Sequence, residues 1–288
     1  MPVEIDRIGG SLGAVVTGVD LRRPLTEAVY AQIFAALMDH QVLFFRDQDL
    51  DDTDQLNLAA EFGEISTYPI TALLGTVEKT RRLSYIEDTE QSPPDADGWH
   101  TDVTWIEDPP AAALLSARVI PSYGGDTVWA SLYRAYELLS PVMQRVCDGL
   151  SVRHWYGPAF EQAVVRAFGE EIRPKLAAAF PPVVHPLVRV HPISGRKALF
   201  VAGGFMDEIV DLHPEESAVL LDFLKARVDN PNVQCRWHWR PNDLALWDER
   251  CTNHRALSDH YPQHRVMRRC TMDTTRVPAG WTPAGGGG

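Results

Sequence analysis

Cysteine is scarce in this 288-residue sequence: Cys147, Cys235, Cys251 and Cys270 are the only four, and no two form a CxxC pair. That argues against a disulfide-stapled scaffold or a cysteine-rich zinc module, and it fits a reduced, cytoplasmic protein. Positive charge is also in deficit. Lysine and arginine total 27 against 39 acidic residues, for a formal net charge of −12. A surface of that sign repels nucleic acid and anionic membranes, so neither is expected as a partner. No apolar run reaches the roughly eighteen residues of a membrane span. The start, Met1 to Arg7, lacks a basic region followed by an apolar stretch, so no signal peptide is expected. A βαβ alternation with glycine-rich phosphate loops is missing, as is any internal repeat.

What remains is an ordinary globular composition, 45% hydrophobic and 23% charged. The length suits one large core, and residues 1–278 are expected to form a single domain. The glycine-rich end, 279–288, can hardly pack and is expected to be disordered. Thr26 caps a predicted helix carrying Val29, Ile33, Phe34, Leu37 and Met38 at helical spacing. A second helix follows Asp52-Thr53 and stops at Gly63, and a third opens at His213-Pro214.

Strand-like runs occupy 41–45, 111–120, 126–131, 183–192, 197–203, 233–239, 243–248 and 268–275, separated by Gly, Pro and Asn. The stretch 132–180 reads helical. Many short strands with helices at the start and in one insertion predict a mainly β, α+β protein with a jelly-roll core.

Within "GWHTDVTW", His100 and Asp102 stand two apart. On a strand, that spacing puts both side chains on one face, roughly 6–7 Å apart, where they can share one ion. Composition alone yields about one His-x-acid triplet in such a chain. Two occur, and the other, His213-Pro214-Glu215, is explained as a helix start.

Two histidines and a carboxylate would leave three positions open on an octahedral iron. Among the other histidines, His185 and His191 lie about 20 Å apart along a strand, and Pro262 breaks the spacing of His260 and His264. His40 and His154 close local segments, and His238 alternates with Trp237 and Trp239. His254 remains, expected in a loop between strands at the barrel mouth. Cys251 three residues before it leaves a Cys-x-x-His site conceivable. Arg265 and Arg269 follow at an interval that keeps both on one strand face. On an inward face, such a pair needs an anion.

His100-x-Asp102, His254 and an arginine eleven residues later resemble the iron(II)/2-oxoglutarate-dependent dioxygenases of the TauD/TfdA family. The likeness runs from about Ile5 to Val277, through "PPDADGWHTDVTWIEDPP", "PSYGGDTVWAS", "HPLVRVHPISGRKALFV", "WRPNDLALWDERCTNH" and "PQHRVMRRCTM". It implies a double-stranded β-helix, with His100, Asp102 and His254 as catalytic residues and ligands of Fe(II). Thr127 and Arg265 would bind the cosubstrate 2-oxoglutarate, and O₂ would be consumed with release of succinate and CO₂. Arg269 matches the residue that receives a sulfonate, while Tyr68 and Phe205 match the substrate pocket. Trp99, Trp105 and Trp247 would either wall off the pocket or pack the core.

The amine-binding residues of taurine dioxygenase are not matched, because Ala96 stands at one position and "EISTYPI" offers no histidine. The substrate is therefore expected to be a small anion: an alkyl sulfonate or alkyl sulfate, or alternatively an aryloxyalkanoate or other carboxylate. The resemblance also implies a homodimer or homotetramer. Rival readings are a redox-inactive metal-binding jelly roll, a sensor or zinc hydrolase, and a purely structural module.

Overall fold

A computed structural model of the chain describes residues 2–74, 82–94 and 98–283. Its first part carries β1 (Glu4–Arg7), β2 (Ala14–Thr17), α1 (Glu27–His40), β3 (Val42–Phe45), α2 (Asp52–Phe62), α3 (Pro69–Leu73) and β4 (Ser84–Asp88). The middle carries β5 (Ala112–Val119), β6 (Thr127–Ser131), α4 (Leu132–Glu137), α5 (Pro141–Asp148), β7 (Ser151–His154), α6 (Gly157–Phe168) and α7 (Arg173–Ala179). Three short strands follow: β8 (Val183–Pro186), β9 (Val188–Val190) and β10 (Lys197–Leu199). The last part holds β11 (Met206–Ile209), α8 (Pro214–Lys225), β12 (Gln234–Trp237), β13 (Leu244–Asp248), β14 (Thr252–Ala256) and β15 (Arg265–Met272).

Side-chain caps set where the first helices begin. The Thr26 hydroxyl accepts the Val29 N–H ahead of α1, and Asp51 and Asp54 form a reciprocal capping box ahead of α2. Gly63 ends α2 where a Cβ would strike the Thr274 carbonyl oxygen at 1.9 Å, so only glycine fits.

Seven strands form one sheet in the order β1-β2-β3-β13-β5-β15-β4, and β12-β6-β14 form the sheet opposite. Phe44, Trp129, Trp237, Trp247 and Met267 fill the space between them, with Phe44 stacked on Trp237 at 4.2 Å. This is a double-stranded β-helix. Alternation along β13 explains both of its faces. Ala245 and Trp247 point into the barrel, while Leu244 and Leu246 meet the residues of α1 and α2 on the outside. Burying each such leucine contributes roughly 1.5–3 kcal/mol. On β15, Met267 points inward and Cys270 and Met272 outward.

Several boundaries differ from the sequence expectation. The stretch 132–180 is not helical throughout, because β7 interrupts it and pairs with β8 and β11. The run 183–192 is two strands broken at Leu187, which turns into a buried apolar cluster. The last strand starts at Arg265, three residues early. His254 is on β14, not in a loop: "TNHRA" pairs in register with β6.

The expected disorder from residue 279 fails at Trp281, which packs edge-on against Phe34 at 5.3 Å and covers part of the apolar cluster under α1. Residues 284–288 lie outside the described residues. No helix among the described residues is long and apolar enough to cross a membrane.

Candidate metal centre and active site

His100 and His254 face each other across an isolated antiparallel bridge. The His100 N–H donates to the His254 carbonyl at 2.9 Å, and the His254 N–H donates back at 2.8 Å. That double exchange holds the two residues directly opposite one another, with ring centroids 4.3 Å apart. Neighbouring contacts lock the pairing. Thr101 Oγ1 donates to the Thr252 carbonyl at 2.9 Å, and Asn253 Nδ2 donates to Thr101 Oγ1 at 3.1 Å. Gly203 closes in from behind at φ +59°, where a Cβ would meet the Trp99 carbonyl oxygen at 1.6 Å.

The His100–Asp102 segment is therefore not a strand, contrary to the expectation from its spacing. After one bridge residue the chain turns, and Val103 adopts a left-handed φ of 57°. Such a conformation is costly for a β-branched residue. Asp102 nonetheless comes beside the histidines through this turn: His100 Nε2 lies 3.8 Å from Asp102 Oδ1. One ligand atom each from His100, Asp102 and His254 falls within 4.8 Å of the others.

The donor set suits a divalent metal with open positions. His100 Nδ1 is 2.8 Å from the Gly98 carbonyl, which makes Nδ1 the donor and leaves Nε2 with its lone pair. His254 is held neutral, its pKa driven down to about 3 by burial and then by His100. Burial alone would raise the Asp102 carboxyl, but Arg269 and the two imidazoles outweigh it and bring the pKa to about 2. The His254 imidazole and the Asp102 carboxylate are thus in their ligating forms at neutral pH.

The cleft in front of them encloses about 420 Å³ including its open mouth, and His100, His254, Thr127, Trp247, Arg265 and Arg269 line it. Arg265 and Arg269 share one face of β15, as their spacing predicts. Arg268 points the other way, fully buried against Gln55, Asp52 and the Leu50 carbonyl, and anchors α2. Thr127 Oγ1 accepts the Trp239 indole N–H at 3.0 Å.

Arg269 Nη1 contacts both Asp102 oxygens, at 2.7 and 2.9 Å, so it bridges the carboxylate and the cleft. Phe205 stands edge-on to His100 at 6.5 Å. It joins Tyr68 in an apolar cluster with Ile70, Val103 and Trp105. Tyr68 and Phe205 thus adjoin residues that line the cleft, Arg269 and His100 respectively. Trp105 belongs to that cluster, Trp247 lines the cleft, and Trp99 donates to Asp229 at 2.6 Å outside it. Ala96 lies outside the described residues.

Sequence reasoning missed Glu249. Its Oε2 accepts the Asp102 N–H at 3.2 Å, and its Oε1 accepts the Trp247 indole N–H at 2.7 Å. Burial, then the adjacent Asp102, push its pKa well above the ordinary carboxyl value. The signal in the sequence was an acid-acid-arginine run, "DER", that starts on the last residue of the apolar β13.

The Cys-x-x-His possibility resolves differently. Cys251 clusters with His191 and Asp248 instead of His254. Arg250 already clamps Asp248, donating from Nε at 2.9 Å and from Nη2, and His191 Nε2 meets Asp248 at 3.0 Å. A cation there would face a guanidinium, so this cluster is a structural polar hub.

Residues 4–271 match the model of the "Taurine catabolism dioxygenase TauD, TfdA family". The chain belongs to this family. This TauD/TfdA member is 34% identical to an alpha-ketoglutarate-dependent sulfate ester dioxygenase of Pseudomonas putida, over 97% of this chain and 92% of that one. It is 33% identical to an alkylsulfatase of Acinetobacter baylyi, over 94% of this chain and 84% of the other. The crystal structure of a taurine dioxygenase from Burkholderia xenovorans superposes with a TM-score of 0.79 at 34% identity, covering 96% of this chain and 93% of that one.

Proposed function

We propose that this chain is an Fe(II)- and 2-oxoglutarate-dependent dioxygenase that hydroxylates a small alkyl sulfate or sulfonate at the carbon next to the heteroatom. Sulfate esters are the foremost candidates. The observation that carries the reading is the convergence of His100, Asp102 and His254, with both histidines lining a cleft that also holds two arginines. The relatives named for sulfate ester and alkyl sulfate chemistry support the substrate class.

His100, Asp102 and His254 would hold Fe(II), which when bound supplies O₂ activation coupled to oxidative decarboxylation of the keto acid to succinate and CO₂. Arg265 would receive the distal carboxylate of 2-oxoglutarate through its planar fork, with the Thr127 hydroxyl beside it. Arg269 would receive the sulfate end of the substrate. From Asp102, the guanidinium can reach outward without leaving a buried charge unpaired. Phe205 and Tyr68 would carry the alkyl chain on their apolar cluster, which keeps water from the reacting carbon. Hydroxylation of R–CH₂–OSO₃⁻ gives R–CH(OH)–OSO₃⁻, and loss of sulfate then leaves the aldehyde. The four cysteines are buried free thiols, which supports a reducing, cytoplasmic setting.

The test is O₂ uptake and succinate formation by protein reconstituted with Fe(II) and 2-oxoglutarate, using hexyl sulfate as substrate. Aldehyde and sulfate should appear in equal amounts. No substrate-dependent O₂ consumption across alkyl sulfates, sulfonates and carboxylates would refute the proposal.

A further inference from the structure

Behind the Arg265 end of the cleft lies a buried charge cluster that the reaction scheme leaves unused. Arg265 on β15 and Asp88 on β4 are cross-strand partners in register. Arg265 Nη1 sits 3.4 Å from Asp88 Oδ2, and His260 Nε2 approaches the same oxygen at 3.3 Å. The three side chains are 3%, 9% and 1% exposed, so water screens none of them. Arg265 Nε also donates to the Gly125 carbonyl at 3.2 Å, which aims the guanidinium along the cleft.

The ring nitrogens of His260 are both turned toward oxygen acceptors. Nδ1 is 3.3 Å from the Leu257 carbonyl and must donate to it. Nε2 faces the Asp88 carboxylate and is buried without an aligned hydrogen-bond partner. A neutral imidazole has a single N–H and would turn a lone pair toward one of these oxygens; only an imidazolium presents an N–H toward each.

The other acids nearby are already engaged. Asp126, which acts on Arg265 electrostatically, is held by Arg236 at 2.6 Å and His238 at 2.8 Å. Asp259 accepts the Gly125 N–H at 2.9 Å and lies 3.6 Å from Arg236. Glu87 meets His264 at 2.8 Å. Asp88 has Arg265 and His260 as its cationic neighbours among the described residues.

Charge counting then gives His260 a task. A distal carboxylate arriving at Arg265 would put two negative charges against one guanidinium in a buried place, which is unfavourable without another cation. We propose that His260, as imidazolium, is a positioning residue of the cosubstrate pocket: it neutralises Asp88 so that Arg265 gives its charge to the incoming carboxylate. The inference rests on the assignment of Arg265 to 2-oxoglutarate made above.

Four proteins test it: wild type, His260→Gln, Asp88→Asn and the double variant. KM for 2-oxoglutarate is measured by succinate formation, and 2-oxoglutarate binding by anaerobic calorimetry on the Mn(II)-loaded protein. His260→Gln leaves Asp88 competing for Arg265. It should raise KM and Kd for 2-oxoglutarate about tenfold or more, with kcat and KM for hexyl sulfate within about twofold. Adding Asp88→Asn removes the competitor and should return both constants to within about threefold of wild type.

An unchanged KM in His260→Gln, or a double variant no better than the single one, would overturn the inference. Arg265→Ala separates the two levels. If it binds 2-oxoglutarate as wild type does, the cosubstrate assignment itself is lost. If it fails to bind while His260→Gln binds normally, only the role of His260 is lost.

Discussion

Glu249 holds Asp102 and Trp247 together, taking the backbone N–H of the first at 3.2 Å and the indole N–H of the second at 2.7 Å. One buried carboxyl thus ties the turn that presents a metal-ligand candidate to the inner face of β13. Glu249→Ala would strand two buried donors, and loss of such an outer partner typically costs 10–100-fold in metal affinity. Glu249→Gln keeps one acceptor and should fall in between. Calorimetric titration of the apo protein with Co(II) measures this; equal affinity in wild type and Glu249→Ala would remove Glu249 from the site.

Arg265→Lys retains the charge but gives up the planar fork. KM for 2-oxoglutarate should rise about tenfold while KM for hexyl sulfate stays nearly constant. A change confined to the sulfate ester would assign Arg265 to the other ligand.

Arg269 touches Asp102 as well as the cleft, so its loss should register twice. Arg269→Ala is expected to raise KM for hexyl sulfate by at least tenfold and to weaken metal binding by a few-fold, because Asp102 loses its cation. The KM effect should shrink on an uncharged alkyl ether. If both substrates suffer equally, Arg269 acts through folding and not through the sulfate.

Metal removal provides a test without turnover. A ligand at 100 times its Kd stabilises the native state by about 2.7 kcal/mol, so excess Mn(II) should raise Tm, and EDTA should reverse the rise. In His254→Ala and Asp102→Ala the metal-induced shift should vanish. A full shift in either would place the ion elsewhere.

Acid should destabilise the apo protein through His154. Burial, then His185, lower its pKa to about 3, well below the roughly 6.5 of an unfolded histidine. Between those values the unfolded chain binds a proton that the native state does not, so stability falls as pH drops from about 6.5 toward 3, by up to about 1.4 kcal/mol per pH unit. His154→Phe, stacked on Phe200 like the native ring, should flatten that slope in Tm measured from pH 7 to 5. An unchanged slope would move the acid sensitivity to other groups.

Helix starts were legible because capping is local chemistry. Thr26, Asp52-Thr53 and His213-Pro214 announce helices within four residues of sequence; α1 and α8 begin there, and α2 begins slightly earlier, at Asp52 behind its cap Asp51. The central strands were legible for a similar reason, since runs such as "VLFF" and "LALWD" are apolar enough to lie buried. Edge strands such as β1 and β11 were not, because exposed positions on them remove the alternation that would mark them, and β4 was not because "SYIED" does not alternate apolar with polar residues.

The candidate metal residues were named from spacing and resemblance, yet the geometric reason first given for them was wrong. His100 and Asp102 converge through a turn with a left-handed Val103, not along a strand face. Glu249 carried only the weak signal of an acidic run ending an apolar strand, and His260 was set aside because Pro262 breaks its helical spacing to His264.

By itself, then, the sequence determined which segments would be buried, where helices would start and which residue types were present for metal and anion chemistry. Each of those is a property of neighbours along the chain. Only the tertiary structure decided that His254 sits opposite His100, that Arg269 reaches Asp102, and that Arg265 and His260 share one oxygen of Asp88. Those pairings join segments far apart in the chain, and they follow from strand register and burial in a common core, which no local pattern encodes.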